Sequence, residues 1–485
     1  MRVCMLASEA FPYAKTGGLA DVLAALPEAL SALGVEVTVI LPGYRSALRA
    51  AGALERVGRI RAPVSSHLAP ANVLRATAAP VSTLLLDAPH YFDRDGLYGD
   101  GGGDYPDNAE RFAFFCRAAL EWLRGLGTPP DILHCHDWHA ALAPAMLRAT
   151  AALYPELRRV RLVQTVHNLA YQGVFPASAW HVLNLDIRYF SSDWLEFHGA
   201  ISFLKGGLTF ADLLTTVSPR YAREIQTPAF GEGLDGVLRA RAGRLHGILN
   251  GIDYRGWSPA VDPVLPARYD VGDLDGKAVC KADLQAALGL RVDPEAPLLA
   301  MVSRLAWQKG IDVALDALAP VLEQSAVQLV ALGNGEPELE RRLVDLADRI
   351  RDRVAVRTGM DEALAHRIVA GADLFLMPSR YEPCGLSQLY SLRYGTVPLV
   401  HATGGLVDTV IDIDSRPGEG TGFTFSPCTP DALRATLDRA LAARRDVGVW
   451  RRLQERGMRQ DFSWARSART YRTEYGALLA APVAA

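Results

Sequence analysis

Leu298-Leu-Ala-Met-Val-Ser-Arg-Leu-Ala-Trp-Gln-Lys-Gly310 runs from five apolar residues into a polar loop and stops at a glycine. Five successive apolar residues closed by a turn signal read as a strand buried on both faces, as in parallel sheets. Working outward, the same unit recurs at Val327-Gln-Leu-Val-Ala-Leu332, Val354-Ala-Val356, Leu374-Phe-Leu-Met377 and Val397-Pro-Leu-Val400. An upstream series runs through Arg2–Leu6, Val35–Leu41, Asp131–Cys135, Leu162–Val166 and Leu213–Val217, with a helix predicted over Asp21–Leu33 and ended by Gly34. Apolar strands separated by amphipathic stretches imply α/β domains, each with a mostly parallel sheet covered on both faces. Between the two series, around Leu249-Asn-Gly-Ile-Asp253, the rhythm breaks into Pro-, Gly- and Asp-rich sequence through Gly276. That stretch reads as the connection between two domains, which would leave a cleft between them. The last segment, Phe462 to Leu479, looks helical.

The bulk composition narrows the function classes. A chain of 485 residues, 49% hydrophobic and 22% charged, describes an ordinary globular protein of two or three domains. A net charge of −3 argues against a nucleic-acid or membrane-surface partner, which would need a basic face. The six cysteines show no paired spacing, so neither a disulfide framework nor a zinc knuckle is expected. The N-terminus reaches Glu9 too soon for a signal peptide and no apolar run is long enough to span a bilayer, so a cytoplasmic, reduced protein is expected. Only five of the 51 cationic side chains are lysine: Lys15, Lys205, Lys277, Lys281 and Lys309. In so Arg-rich a chain, a surviving lysine marks a place where a compact point charge is wanted in preference to a planar fork.

Several loops after strands carry chemistry. Ser8–Gly18 ends in Lys15-Thr-Gly-Gly18, where loop amides, a helix start and a lysine would together make an anion site. Arg304 and Lys309 project from one strand–helix loop, and two cations there suit a diphosphate that gains charge as it leaves. Pro378-Ser-Arg-Tyr-Glu-Pro-Cys-Gly-Leu-Ser-Gln388 brackets Glu382 in a sharp turn, where a carboxylate can bind sugar hydroxyls or balance an oxocarbenium-like charge. Thr403-Gly-Gly-Leu-Val-Asp-Thr409 is a further strand–glycine–helix junction and a second phosphate cradle. His134-Cys-His-Asp-Trp-His139 has the look of a metal site, but His134 and His136 are expected to diverge from the strand and no second ligand cluster completes a set. No metal is expected; Asp137 and His139 are instead expected to line the cleft. In Thr165-Val-His-Asn168, His167 and Asn168 suit hydroxyl recognition at a strand end.

Together these residues resemble one family. Lys15-Thr-Gly-Gly-Leu-Ala-Asp-Val, His136-Asp-Trp-His, Thr165-Val-His-Asn, Leu249-Asn-Gly-Ile-Asp, Arg304-Leu-x-x-Gln-Lys-Gly310, Glu382-Pro-Cys-Gly-Leu and Thr403-Gly-Gly-Leu follow the order of bacterial glycogen synthases and plant starch synthases. The resemblance spans nearly the whole chain; Ser387, where many members have Thr, keeps the hydroxyl. It implies a GT-B fold: an N-terminal Rossmann-like domain over 1–250 on the acceptor side, completed by a C-terminal helix over 457–485, and a nucleotide-sugar domain over 251–456. The implied reaction is transfer of glucose from ADP-glucose to the non-reducing end of an α-1,4-glucan such as glycogen, with retention of configuration and without a metal or other cofactor. By the same resemblance Arg304 and Lys309 stabilise the departing diphosphate, Glu382 holds the transferred glucose, and His167 acts beside the reacting sugar. Lys15 and Gly18 meet the donor, Asp137, Asn168 and Asn250 belong to the sugar site, and Cys384, Gly385, Leu386, Thr403, Gly404 and Gly405 line the glucose and diphosphate. A UDP-sugar donor or another acceptor, as in trehalose- or sucrose-type synthases, is the runner-up. A non-catalytic glucan-binding protein is disfavoured because Glu382 and the cation pair are present. Lys205 has no assigned role, and Lys277 and Lys281 are expected to be ordinary helix-surface residues.

Overall fold

The computed structural model describes residues 1–77, 81–101, 103–416 and 418–482. Two compact units divide the chain, Met1–Asn250 with Trp464–Ala485 and Gly251–Ser463. Among the described residues, the first unit holds a nine-stranded sheet. Its order is Leu245–Gly247, Leu213–Thr216, Arg161–Val166, Ile132–His136, Arg2–Leu6, Glu36–Pro42, Ser82–Asp87, His67–Ala76 and Leu54–Val64. The first seven run parallel, and the last two add antiparallel. In the second unit six parallel strands follow the order Val354–Thr358, Gln328–Gly333, Leu298–Val302, Leu374–Met377, Val397–His401 and Phe423–Phe425. The central strands Arg161–Val166, Gln328–Gly333 and Leu374–Met377 are buried at every position; Leu374–Met377 is wholly apolar, whereas the other two also bury Arg161, Gln164, Thr165 and Gln328.

Two boundaries differ from the expectation. The helix expected over Asp21–Leu33 spans Gly18–Ser31, so Gly18 is a helical residue and not the end of the loop. The closing segment expected from 457 begins its helix only at Trp464, which runs to Ala480. Residues 457–463 stay with the second unit because they are tied there. Gly457 and Met458 end the helix Val447–Arg459, Phe462 N–H donates to the Tyr254 hydroxyl at 2.8 Å, and Ser463 bridges Ile252. Residues 483–485 of that expected helix lie outside the described residues.

The lysine census takes on structural meaning here. Lys277 and Lys281, expected on the surface of the helix Asp275–Ala287, are both buried. Lys281 Nζ donates to the carbonyls of Pro294 (2.8 Å) and Ala296 (2.7 Å) and to Asp373 Oδ2 (2.8 Å). Lys277 Nζ donates to Ala370 O (2.8 Å) and Thr396 Oγ1 (2.6 Å), and burial lowers its pKa to about 7. Lys205 Nζ is held by the carbonyls of Ser192 (2.6 Å) and Glu196 (2.5 Å). A compact ammonium with three divergent N–H bonds meets acceptors converging from several segments, which a planar guanidinium cannot match. Replacing Lys281 by Ala is expected to destabilise the fold by about 3 kcal/mol, because it leaves the Pro294 and Ala296 carbonyls without their ammonium donor and Asp373 with only Arg444 as its cation among the described residues. Denaturant unfolding checks this, and Lys281→Arg is expected to recover little of the loss.

Candidate active site

The strand orders fix where each unit binds ligand. In the second unit the chain works outward in both directions from Leu298–Val302, so the order reverses between that strand and Leu374–Met377. Open α/β sheets bind ligands beyond the carboxyl ends of the strands at such a switch point. The loops leaving those two strands carry Arg304 with Lys309 and Glu382 respectively. Lys309 Nζ lies 2.6 Å from Glu382 Oε2, with side-chain exposures of only 17% and 7%. Ser379 Oγ donates to the same carboxylate oxygen at 2.9 Å. Arg304 is exposed, and its guanidinium donates to Gln308 Oε1 at 3.2 Å. Gln308 in turn donates to Tyr381 O, next to Glu382, at 3.2 Å. Arg380 clasps Asp312 through two bonds of 2.8 and 2.7 Å, pinning the two loops together and holding the Asp312 carboxyl below its usual range.

Glycine makes this proximity possible at two positions. Gly310 has φ +64°, and a Cβ there would strike the Pro378 carbonyl. Gly404, at φ +44°, would strike the Glu382 carbonyl, which accepts instead from Gly405 N–H at 3.0 Å. Gly404 and Gly405, which follow Thr403, therefore press on the backbone of the Glu382 turn. Cys384 is buried within that turn, Gly385 follows at φ +72°, and Leu386 precedes the helix Ser387–Arg393.

In the first unit the order reverses between Arg2–Leu6 and Ile132–His136. The loop after Arg2–Leu6 departs from the expected anion cradle. Glu9, buried to 4% exposure, fills it: Oε2 accepts from Thr16 N–H (2.6 Å) and Gly17 N–H (3.2 Å), and Oε1 from Thr16 Oγ1 (2.7 Å) and the Tyr98 hydroxyl (2.6 Å). These loop amides already hold an internal anion. Lys15 lies outside it, half-exposed and paired with Asp21 at 2.7 Å.

The strand Ile132–His136 ends at Asp137, a non-glycine residue at φ +53°, a strained conformation that persists only where its surroundings impose it. Asp137 Oδ1 accepts from His167 N–H at 2.7 Å, and the Asn168 N–H adds a second bond. Even so, burial pushes its carboxyl up to about 7. His136 Nδ1 lies 3.0 Å from His167 Nε2, with the rings stacked at 5.3 Å. Asn168 turns its Oδ1 to Ala170 N–H (3.1 Å), and Asn250 is buried, its Oδ1 without a partner among the described residues. His139 does not line an open surface: it stacks between Tyr98 (4.5 Å) and Trp138 (3.9 Å). His134 and His136 do not diverge either. Two residues apart in a strand they share a face, and their rings lie 4.1 Å apart. Among the described residues no three His, Cys, Asp or Glu side chains gather as a metal-ligand set.

Comparison with known proteins decides the family. Residues 2–240 match the starch synthase catalytic domain and residues 289–457 match glycosyl transferases group 1. The glycogen synthase of Anaeromyxobacter dehalogenans (strain 2CP-C) is 52% identical over 480 residues, covering 99% of this chain and 100% of that one. The glycogen synthase of Syntrophotalea carbinolica is 48% identical over 472 residues, 97% of each. The chain belongs to the glycogen and starch synthase family. In structure it resembles the catalytic domain of starch synthase IV from Arabidopsis thaliana bound to ADP and acarbose, with a TM-score of 0.90 at 34% identity over 99% of each chain. Sucrose-phosphate synthase from Thermosynechococcus elongatus, at 20% identity and TM-score 0.62 over 99% of this chain and all of that one, shares the GT-B fold. The chain is thus a GT-B glycosyltransferase of the glycogen and starch synthase family.

Three residues that contact the predicted site residues or their loops were given no such place by the sequence alone. Glu9 served there only as an early acid, although its position three residues beyond a strand end was a signal. Ser379 was quoted without a role, and His136 was weighed only as a metal ligand. Among the described residues no helix is long and apolar enough to cross a membrane.

Four histidines here are held neutral by burial. The pKa of His134 and of His167 falls from 6.5 to about 3, and those of His136 and His139 also fall well below 6.5. Below about pH 6.5 the unfolded chain takes up protons that the folded chain refuses, so stability drops as pH falls toward 3. Each histidine contributes up to about 1.4 kcal/mol per pH unit over that window. Asp137 acts oppositely: its raised pKa favours the fold below about pH 4 and that contribution is lost as pH rises through about 7. Four histidines against one carboxyl make the net sign clear. The thermal midpoint is expected to fall steeply from pH 6.5 to pH 5, and a flat profile would show that these rings are not buried neutral.

Proposed function

We propose that the chain transfers glucose from ADP-glucose to the non-reducing end of an α-1,4-glucan such as glycogen, with retention of configuration and no metal. The observation that carries this is the ion pair of half-buried Lys309 with buried Glu382 at the switch point of the second unit, with Arg304 on the Lys309 loop. The departing diphosphate gains negative charge as the glucosyl bond breaks, and fixed cations facing it lower that barrier. Lys309 has three N–H bonds; one is engaged by Glu382, and the others remain for phosphate oxygens. Arg304 adds a second positive charge. Glu382, held by Lys309 and Ser379, presents its remaining lone pairs to the hydroxyls of the transferred glucose. Two fixed cations supply the charge neutralisation that a divalent ion gives in other transferases, which supports a metal-free reaction.

The first unit supplies acceptor and sugar contacts through Asp137, His167, Asn168 and Asn250, with Lys15 and Gly18 on the donor. His167 is neutral, so it acts there by hydrogen bonding and not as a charge. Six free cysteines support a cytoplasmic setting. Incorporation of labelled glucose into glycogen from ADP-glucose and from UDP-glucose, each with and without a chelator, tests the proposal. ADP-glucose is expected to be used far better, with no effect of chelation. Preference for UDP-glucose or loss of turnover with the chelator would overturn the corresponding part.

A further inference from the structure

We propose that His136 is a positioning residue that fixes the tautomer of His167, so that the neutral His167 ring meets the substrate with Nδ1–H as a hydrogen-bond donor. The inference rests on the assignment of His167 to the reacting sugar and goes beyond it by naming the atom and the residue that sets it.

The geometry leaves two arrangements. His136 Nδ1 and His167 Nε2 are 3.0 Å apart, and burial holds both rings uncharged, so one proton is shared between them. If His167 donates, His136 must carry its own proton on Nε2. That nitrogen is buried and has no partner among the described residues. A buried N–H without an acceptor is the rarer and costlier defect, about 1–3 kcal/mol. If His136 donates from Nδ1, only a bare ring nitrogen is left in that place. His167 then accepts at Nε2 and must carry its proton on Nδ1, the nitrogen that faces away from His136.

The neighbours keep the His136 ring from turning to escape the constraint. His134 packs against it with ring centroids 4.1 Å apart and planes tilted by 35°, and is clamped at both nitrogens, Nδ1 by the Tyr475 hydroxyl (2.7 Å) and Nε2 by Thr165 Oγ1 (2.5 Å). Thr165 lies two residues before His167 on the same strand end, and Asp137, next to His136, holds the His167 backbone N–H. The closing helix Trp464–Ala480 thus anchors the stack beneath the site through Tyr475.

The test uses the full chain with ¹⁵N-labelled histidine, a His167→Gln variant identifying the His167 resonances. The expected wild-type spectrum shows His167 protonated at Nδ1 and bare at Nε2; the opposite tautomer overturns the inference whatever the kinetics. Two substitutions then separate positioning from packing. His136→Asn places an amide N–H near the former Nδ1 and is expected to retain the tautomer and recover most of the turnover. His136→Leu fills the space without a donor and is expected to lower kcat about 10–100-fold with little change in KM for the glucan. Equal activity of the two variants, with both folded by circular dichroism, contradicts a positioning role. The underlying assignment fails separately: if His167→Gln keeps full turnover, His167 does not serve the reaction, even where the tautomer is as expected.

Discussion

Lys309→Ala is expected to reduce turnover by roughly 10²–10³-fold while the protein still folds. The lysine is the cation within 2.6 Å of the Glu382 carboxylate, and it sits on the loop leaving the strand at which the second sheet reverses its order. In the proposed reaction, its removal takes away a charge that would face the departing diphosphate. It also leaves a carboxylate of 7% exposure with Ser379 as its remaining side-chain partner. The loss should appear in kcat more than in KM, because the diphosphate gains its extra charge only as the bond breaks. Lys309→Arg is expected to recover little, since the backbone beside it is fixed: Gly310 lies against Pro378 with no room for the loop to shift. Steady-state kinetics with a thermal unfolding scan checks both halves. Near-normal turnover in folded Lys309→Ala would remove Lys309 from the chemistry.

Glu382→Ala is expected to cost a comparable factor, roughly 10²–10³-fold in turnover, with glucan binding unchanged. The carboxylate is built into its turn from both sides. Its side chain accepts from Lys309 and Ser379, and its backbone carbonyl accepts from Gly405 N–H. Truncation therefore leaves a half-buried ammonium without its counter-charge and, in the proposed reaction, removes the acceptor for sugar hydroxyls. Glu382→Gln separates the two effects. It keeps the volume and one acceptor oxygen but not the charge, so it should bind the donor sugar better than Glu382→Ala and still turn over slowly, glucan binding being unchanged in both. Direct glucan binding by affinity electrophoresis, beside initial rates, distinguishes this from a general loss of structure; unchanged turnover in Glu382→Ala would rule out its role.

The parallel strands were legible because burial on both faces leaves an apolar run with no polar interruption, as in Leu298–Val302 and Leu374–Met377. The hairpin Leu54–Val64 with His67–Ala76 was not, because an edge strand interleaves Arg56, Arg59 and Arg61 with its apolar residues and pairs antiparallel. Glu382, Lys309 and Arg304 stood out in the sequence because strand ends concentrate chemistry and the loops around them are glycine-bound; the structure puts them on the two loops at the switch point. Lys277 and Lys281 were misplaced for a different reason. Lysine on an amphipathic helix is ordinarily solvated, and three of their five acceptors, Ala370, Thr396 and Asp373, lie more than 90 residues away in sequence. Glu9 was overlooked because no periodicity marks a carboxylate that turns back to fill its own loop. The shared face of His134 and His136 was available from the two-residue repeat of a strand and needed no structure.

The central assignment is tested most directly by where the transferred glucose ends up. Purified protein is given labelled ADP-glucose and unlabelled glycogen, and the polymer is then digested by an exo-acting enzyme that releases maltose from non-reducing α-1,4 ends. The expected result is label incorporated into the glycogen and released early in the digestion, all of it as maltose. Label that stays with the undigested core, or no incorporation from ADP-glucose at all, would contradict glucosyl transfer to the non-reducing end by this chain.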